Sequence, residues 1–215
     1  MDIIISIIIG YLLGSIPTAY LILKKTRDVD ISKSGSKNIG ALNSYEVSKS
    51  KLIGILVLLI DYSKGVASTL LVSSFFGSSF ELQVSALIAA VFAHCYSPWL
   101  KFKGGRGLAT AAGGATIVAP IILILWLISW LISFAFRRNV HFSNIVATLI
   151  AAGLSITSAD ILNTSRWLTN PPAETNLYFT LLICSMMLII ISRHIEPMKE
   201  YIRSNKNNVR STDHG

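Results

Sequence analysis

The stretch GLATAAGGATIVAPIILILWLISWLISFAF, residues 107–136, carries no charged residue and has a proline near its middle. A helix that spans a membrane needs about 20 consecutive apolar residues, so this stretch is too long for one ordinary span. Pro120 lacks a backbone N–H and disfavours helical structure at the preceding residue, Ala119. The stretch is therefore either one kinked helix or two helices that meet at Pro120.

The whole chain has the composition of a membrane protein. Apolar residues make up 52% of it and charged residues 14%, and its mean hydropathy is +0.60. A soluble domain carries about 25% charged residues. Besides residues 107–136, apolar segments cover residues 3–23, 52–76, 82–100, 145–164 and 177–192. The first has no cleavage site behind it and is interpreted as a retained helix and not a signal peptide.

The positive charges decide between six and seven spans. With seven spans and an external N-terminus, one face receives 17 of the 19 Lys and Arg residues, whereas six spans divide them 11 to 7. Because cytoplasmic loops are enriched in Lys and Arg, seven spans are favoured. The sequence thus predicts an all-α, polytopic membrane helical bundle with seven transmembrane helices, N-terminus outside and C-terminus inside. We expect one domain over residues 1–202 and a polar cytoplasmic tail over residues 203–215.

The net charge of +8 is explained by these membrane flanks, so no nucleic-acid partner is expected. Cys95 and Cys184 both lie inside apolar segments, and no disulfide framework or metal-ligand spacing is visible. We therefore predict no bound metal.

The loop KFKGGRGLAT, residues 101–110, has the composition of a phosphate site. Glycines let backbone N–H groups converge on a ligand, and the N-terminal end of a following helix attracts anions. Lys103 and Arg106 add cations suited to phosphate oxygens. The glycines are Gly104, Gly105 and Gly107. The alternative is a basic membrane flank whose glycines allow tight helix packing.

A second polar stretch, SGSKNIGALN, covers residues 34–43 on the same predicted cytoplasmic face. The hydroxyl of Ser36 and the amides of Asn38 and Asn43 can bond a small polar substrate, and Gly40 adds backbone freedom. The alternative is an ordinary turn followed by a helix cap.

Two further features involve ionisable residues near or within spans. His194, beside Arg193, can accept a proton near neutral pH at the membrane edge, although a lone boundary histidine is more often structural. Asp61 and Lys64 share one helix face inside an apolar segment, where ionisable residues are expensive. They form either an ion pair that tethers helices or part of a substrate site. His94 either lines the site or is a core histidine, and the second interpretation is favoured; His141 has no supporting motif.

Together these stretches resemble the bacterial acyl-phosphate:glycerol-3-phosphate acyltransferase family. The shared motifs, in order, are GSIPTAYL (14–21), GSKNIGALN (35–43), DYSKG (61–65), KFKGGRGLATAAGG (101–114) and RHIEP (193–197). The resemblance implies transfer of a fatty acyl group from acyl phosphate to the 1-hydroxyl of glycerol 3-phosphate, giving lysophosphatidic acid for phospholipid synthesis. It also implies a multi-pass protein of the bacterial inner membrane that uses no cofactor and depends on a soluble enzyme that forms acyl phosphate.

The resemblance also assigns roles to individual residues. It makes Ser36 and His194 catalytic, and it implies a substrate-binding set of Asn38, Gly40, Asn43, Lys103, Gly104, Gly105, Arg106 and Gly107. Several positions depart from the family pattern: Lys37 replaces a glycine, Leu42 a threonine, Glu46 a substrate-binding arginine and Pro197 an asparagine. Arg106 stands where lysine is usual, and the family's RYVSLAS-like loop is degraded to RRNVHFSN (137–144).

Two other functions stay open at this point. A transporter or flippase of an anionic or lipidic solute would suit a broken helix and an intramembrane ion pair, although transporters place their sites near the midplane. An inactive homologue would suit the replacements at Glu46 and Pro197. For the enzyme we expect direct attack on acyl phosphate without an acyl-serine, since the substrate is already activated and no nucleophile elbow is legible.

Overall fold

The structure is a computed structural model that describes residues 1–164 and 166–212, with side chains as far as Arg203. Regular structure in this part of the chain is helical throughout. The α-helices are α1 (Asp2–Ser15), α2 (Thr18–Arg27), α3 (Ala41–Ser48), α4 (Lys51–Phe76), α5 (Phe80–Cys95), α6 (Leu108–Val118), α7 (Pro120–Arg137), α8 (Val140–Thr157), α9 (Ala159–Leu162), α10 (Asn176–Ser192) and α11 (Ile195–Thr212). Of the expected tail over residues 203–215, the backbone through Thr212 belongs to α11, and residues 213–215 lie outside the described residues.

The long apolar helices are consistent with a bundle that spans a membrane. Five helical segments are long and apolar enough to cross a membrane: Asp2–Arg27, Lys51–Phe76, Phe80–Leu100, Pro120–Arg137 and Val140–Thr157. Helix α10 gives a sixth when it is taken together with the start of α11, which is bent from it by 46°. The expected break at Pro120 is confirmed, because α6 ends at Val118 and Ala119 leaves the helical conformation at φ −148° and ψ 61°. Pro120 then opens α7, where a missing N–H costs nothing.

Glycine contacts bring the helices into close approach. Gly10 and Gly14 of α1 lie against the backbone of Ala86 and Ala90 in α5, and a Cβ atom at either glycine would overlap a carbonyl oxygen. The same holds where α4 meets α6, with Gly65 against Thr110 and Gly113 against Tyr62. Small residues at such interfaces are what allow helices to pack in a membrane, where burial of apolar surface provides little drive.

The Asp61–Lys64 pair joins helices. Pro17 separates α1 from α2, and Lys64 donates to the carbonyl oxygen of Ile16 at this break at 2.6 Å. Lys64 also donates to Oδ1 of Asp61 at 2.7 Å, and both side chains are buried. The hydroxyl of Thr110 donates to the carbonyl oxygen of Asp61 at 3.0 Å. Of the two interpretations of this pair, these contacts support the tether between α4 and its neighbours.

Candidate active site

The loop before α3 is held in shape by one buried amide. The side chain of Asn43 accepts from the backbone N–H of Ser36 at 3.0 Å and donates to the carbonyl oxygens of Ser34 at 3.1 Å and Asn38 at 2.8 Å. Asn43 is buried. Its hydrogen-bonding groups are therefore all used within the loop. The sequence suggested that Asn43 contacts the substrate directly, whereas in the structure it positions Ser36 and Asn38.

Lys37 keeps a backbone conformation that normally favours glycine. Its φ is +59°, in the left-handed region, and so is that of Gly35 at +56°. The family pattern has glycine at position 37. Glycine is favoured there because it adopts a positive φ without steric cost. The chain adopts the same tight turn here at a cost in backbone strain, and the lysine side chain is exposed.

The glycine-rich loop before α6 packs against the end of α5. The N–H of Gly105 donates to the carbonyl oxygen of His94 at 3.0 Å, so this N–H is not available to a ligand. A Cβ atom at Gly104 would overlap the carbonyl oxygens of His94 and Cys95, and one at Gly105 would overlap the His94 ring. Tight packing, the alternative interpretation of the sequence, explains Gly104 and Gly105.

Gly107 and Arg106 have a different setting from the two preceding glycines. Gly107 caps the N-terminus of α6 with φ +81°. Together with Leu108 and Ala109 these two residues line a cavity. The free N–H groups of the first helical turn and the Arg106 guanidinium therefore meet at one wall, which is an arrangement suited to phosphate. Lys103 is exposed and does not line this cavity, as far as the described residues define it.

Arg193 clamps the glycine-rich loop from the end of α10. Its Nε donates to the carbonyl oxygen of Gly105 and its Nη2 to that of Gly104, each at 3.1 Å. The guanidinium lies over the ring of Tyr96, 5.1 Å from the centroid. Sequence reasoning gave Arg193 no role of its own, although its place in the RHIEP motif was a signal.

His194 is sealed inside the protein just beyond the end of α10. Nδ1–H donates to the carbonyl oxygen of Ile190 at 2.8 Å, which leaves Nε2 to accept from Nδ2 of Asn144 at 3.1 Å. The Asn144 Oδ1 accepts in turn from Nε1 of Trp130 at 2.7 Å. Both ring nitrogens therefore have partners, and His194 contacts Asn144 and lines neither of the two cavities described below.

A polar cavity of about 400 Å³ lies between the loop before α3 and the start of α11. Its wall includes Ser36, Lys37, Asn38, Arg106, His141, Arg193, Glu196, Pro197 and Glu200. Cations from three parts of the chain therefore face two carboxylates from α11 across one space. Ser36, one of the two residues expected to be catalytic, is exposed on this wall.

An amphipathic cavity of about 530 Å³ adjoins the polar cavity. Its polar end is formed by Asn38, Asp61, His94, Arg106 and Asn144, and its apolar wall includes Leu42, Leu58, Leu108, Trp126 and Leu127. Gly40 also lines it. Asn38 and Arg106 line both cavities and mark their junction.

The apolar wall continues inward between α6, α7 and α10. A smaller apolar pocket of about 80 Å³ shares Leu108, Trp126 and Leu127 with the amphipathic cavity and reaches Met186 and Met187. Trp126 is fixed at this boundary, because its Nε1 donates to Thr148 Oγ1 at 3.0 Å. A linear acyl chain that starts at Arg106 could therefore contact apolar side chains along both the amphipathic cavity and this pocket.

The structure divides the predicted site residues into two groups, apart from the exposed Lys103, which lines neither cavity. Those that line a cavity are Ser36, Asn38, Gly40, Arg106 and Gly107. Those that support its walls from behind are Asn43, Gly104, Gly105 and His194. Asn144, Trp130 and His141 also belong to the site. Asn144 and His141 lie in the degraded loop RRNVHFSN (137–144), to which sequence reasoning assigned no role, and Trp130 carried no motif.

Comparison with known proteins places this arrangement in context. Residues 4–204 match the family model of glycerol-3-phosphate acyltransferase. A glycerol-3-phosphate acyltransferase of Helicobacter hepaticus is 40% identical over 55% of this chain, and the match spans 57% of that protein's length. One from Myxococcus xanthus is 35% identical over 71% of this chain and 79% of its own length.

Two solved structures share the fold. One is the glycerol 3-phosphate form of PlsY (YgiH), an integral membrane glycerol 3-phosphate acyltransferase, with a TM-score of 0.77 and 28% identity over 95% of this chain and 94% of that one. The lysophosphatidic acid form of the same protein gives a TM-score of 0.75 and 26% identity over 95% of this chain and 93% of that one.

Proposed function

The chain belongs to the glycerol-3-phosphate acyltransferase family, and from that premise we propose that it transfers a fatty acyl group from acyl phosphate to the 1-hydroxyl of glycerol 3-phosphate. The products are lysophosphatidic acid and inorganic phosphate. One observation carries the proposal: a polar cavity and an amphipathic cavity meet at Asn38 and Arg106. A small polar acceptor suits the first, and a long acyl chain with an anionic head suits the second.

The acyl phosphate is proposed to lie with its chain along the apolar wall and its phosphate at the junction. Arg106 provides a planar set of donors there, and the first turn of α6 adds backbone N–H groups at Leu108 and Ala109. These groups are fixed before the substrate arrives. They are placed to stabilise the negative charge that grows on the departing phosphate as the acyl carbon is attacked.

Glycerol 3-phosphate is proposed to occupy the polar cavity, with its hydroxyl directed at the junction by Ser36 and Asn38. The hydroxyl oxygen bonds to the acyl carbon, the bond from that carbon to the phosphate oxygen breaks, and the hydroxyl proton passes to a phosphate oxygen. Holding both substrates in this geometry is the main catalytic contribution asked of the protein. His194 contributes through Asn144, since its own nitrogens are already bonded.

The seven-span topology belongs to the same proposal. We place the N-terminus outside and both cavities at the cytoplasmic face of a bacterial inner membrane, where acyl phosphate from a soluble enzyme can reach them. The distribution of 17 of 19 Lys and Arg residues on that face supports this. Helix α6 has only 11 residues, but it packs between α4, α5 and α7 and need not match the full lipid thickness. A reporter fused after Tyr201 should be cytoplasmic, and an external reporter would exclude this orientation.

The decisive experiment is an assay of purified protein for phosphate release from acyl phosphate. Release should require glycerol 3-phosphate, and lysophosphatidic acid should form in equal amount. Absence of transfer by folded protein would favour the inactive-homologue interpretation, in which Glu46 and Pro197 have removed the activity.

A second arm of the assay tests direct transfer. Labelled acyl phosphate is incubated with the protein before any acceptor is added, and the protein is examined by mass spectrometry. No acyl adduct should appear on Ser36. A stable adduct that glycerol 3-phosphate then discharges would show that the reaction proceeds through an acyl-serine.

A further inference from the structure

His141 lines the polar cavity, whereas His194, the histidine predicted to be catalytic, does not. Of the three histidines in the described part of the chain, His94 lines the amphipathic cavity, His194 is sealed behind Asn144, and His141 lines the polar cavity. His141 is half-buried near the start of α8, and its ring centroid lies 6.5 Å from that of His194. An imidazole thus lines the acceptor's cavity from the stretch RRNVHFSN (137–144), in which the loop sequence of the family is not kept.

The contact between His141 and Arg106 fixes the roles of the ring nitrogens. Nη1 of Arg106 lies 3.3 Å from Nδ1 of His141. A guanidinium can donate but cannot accept, so Nδ1 must accept and the ring proton resides on Nε2. His141 therefore does two things at once: it holds the Arg106 guanidinium at the junction of the cavities, and it keeps an N–H donor for another ligand.

The charges around the polar cavity indicate that a phosphate bound there would need the His141 Nε2–H as a donor. Arg193 is committed to the carbonyl oxygens of Gly104 and Gly105. Glu196 and Glu200 also line the cavity, and Glu196 is paired with Lys199 at 2.6 Å. Glu46, where the family pattern has arginine, is exposed and adds a further negative charge near Arg106. A dianionic phosphate in this cavity therefore needs donors beyond Arg106 and Lys37, and His141 Nε2–H is suitably placed.

We propose that His141 is a phosphate-binding residue for the acyl acceptor, acting with Arg106 in the polar cavity. This inference rests on the proposed function for the identity of the acceptor, but the phosphate contact can be measured without turnover. It assigns His141 to acceptor affinity and leaves the donor's phosphate to Arg106 and the α6 N-terminus.

The kinetic test compares His141→Ala with His141→Asn. Loss of the Nε2–H donor and of the Arg106 contact should raise KM for glycerol 3-phosphate about 5- to 10-fold, with KM for acyl phosphate changed less than about 3-fold. The value of kcat should fall by a smaller factor than KM for glycerol 3-phosphate rises, since Arg106 keeps its charge at the junction. Asparagine offers both an acceptor and a donor and should restore most of the affinity. Thr157→Ala is the matched control at the far end of α8, because its hydroxyl is exposed and bonds the Gly153 carbonyl of its own helix; it should leave both KM values unchanged.

A binding test separates this inference from the proposed function. Inorganic phosphate and glycerol 3-phosphate should each raise the unfolding temperature of the wild-type protein in detergent, and His141→Ala should lose most of that shift while its ligand-free unfolding temperature stays near wild type. If wild type shows the shift but no acyl transfer, the proposed function fails and the phosphate site at His141 stands. The inference is overturned if folded His141→Ala keeps the full shift, or if only KM for acyl phosphate rises.

Discussion

Arg193 donates from Nε to the carbonyl oxygen of Gly105 at 3.1 Å, although 88 residues separate them in the sequence. The adjacent Nη2 donates to the Gly104 carbonyl, and the guanidinium lies over the Tyr96 ring. The end of α10 therefore fixes the loop that leads into α6, and with it the position of Arg106. Lysine has neither the forked geometry nor the planar face needed for these contacts.

Replacing Arg193 by lysine should consequently loosen the glycine-rich loop. Each hydrogen bond from a charged group contributes about 1.5–3 kcal/mol, so we expect the free energy of unfolding to fall by about that amount and acyl transfer to fall with it. Thermal unfolding in detergent and the phosphate-release assay measure the two effects. Arg27→Lys, the same substitution at an exposed site at the end of α2, serves as the matched control. Equal effects of the two variants would contradict the clamp.

Asn43→Asp should be more harmful than Asn43→Ala. Aspartate turns the group that donates to Ser34 and Asn38 into a second acceptor, so buried oxygens face each other, whereas alanine leaves the loop's groups without partners. We expect a loss of about 1–3 kcal/mol in unfolding free energy for alanine and more for aspartate, with kcat reduced in both. Stability curves and initial rates check the order. The opposite order would mean that Asn43 does not donate to the loop.

Asp61 and Lys64 should show strong coupling in a double-mutant cycle. Removing one partner leaves a buried charge uncompensated, at a cost of about 3–5 kcal/mol, whereas removing both costs less than the sum. Asp61→Asn, Lys64→Met and the double variant are compared by unfolding in detergent. The double variant should still be less stable than wild type, since it loses the Lys64 contact with the Ile16 carbonyl. Additive losses would argue against a direct pair.

Gly105→Ala tests whether this glycine serves packing. A Cβ atom would overlap the His94 ring and push the loop from the end of α5, so both stability and activity should fall. Gly153→Ala is the matched control in the interior of α8, where no atom lies within 4 Å of the added Cβ atom. It should be neutral or gain about 0.5–1 kcal/mol in helix stability. A stable Gly105→Ala protein of normal activity would show that the loop tolerates a side chain.

Arg106→Ala should weaken the use of a phosphate substrate more than it weakens folding. The guanidinium lines both cavities, and loss of a charged hydrogen bond costs about 1.5–3 kcal/mol in transition-state binding. Arg106→Lys keeps the charge but not the fork and should fall between alanine and wild type. Steady-state kinetics with each substrate varied in turn provide the measurement, and unchanged constants for both substrates would remove Arg106 from the site.

The sequence determined the helical membrane class, the break at Pro120 and the polar stretches that form the cavities. These follow from local properties: the length of an apolar run, the missing N–H of proline and the charge of a side chain act in the same way wherever the chain goes. Ser36, Asn38 and Arg106 were predicted from the hydroxyl, amide and guanidinium groups of their motifs together with the family resemblance.

Only the tertiary structure decided which of those polar groups remain available. Asn43 looked like a substrate contact but is committed to its own loop, His194 is sealed by Asn144, and the N–H of Gly105 bonds the end of α5. His141, in the degraded loop RRNVHFSN to which sequence reasoning assigned no role, lines the polar cavity. The physical reason is that a donor or acceptor is free for chemistry only if packing leaves it without a partner, and those partners are supplied by residues far away in the chain.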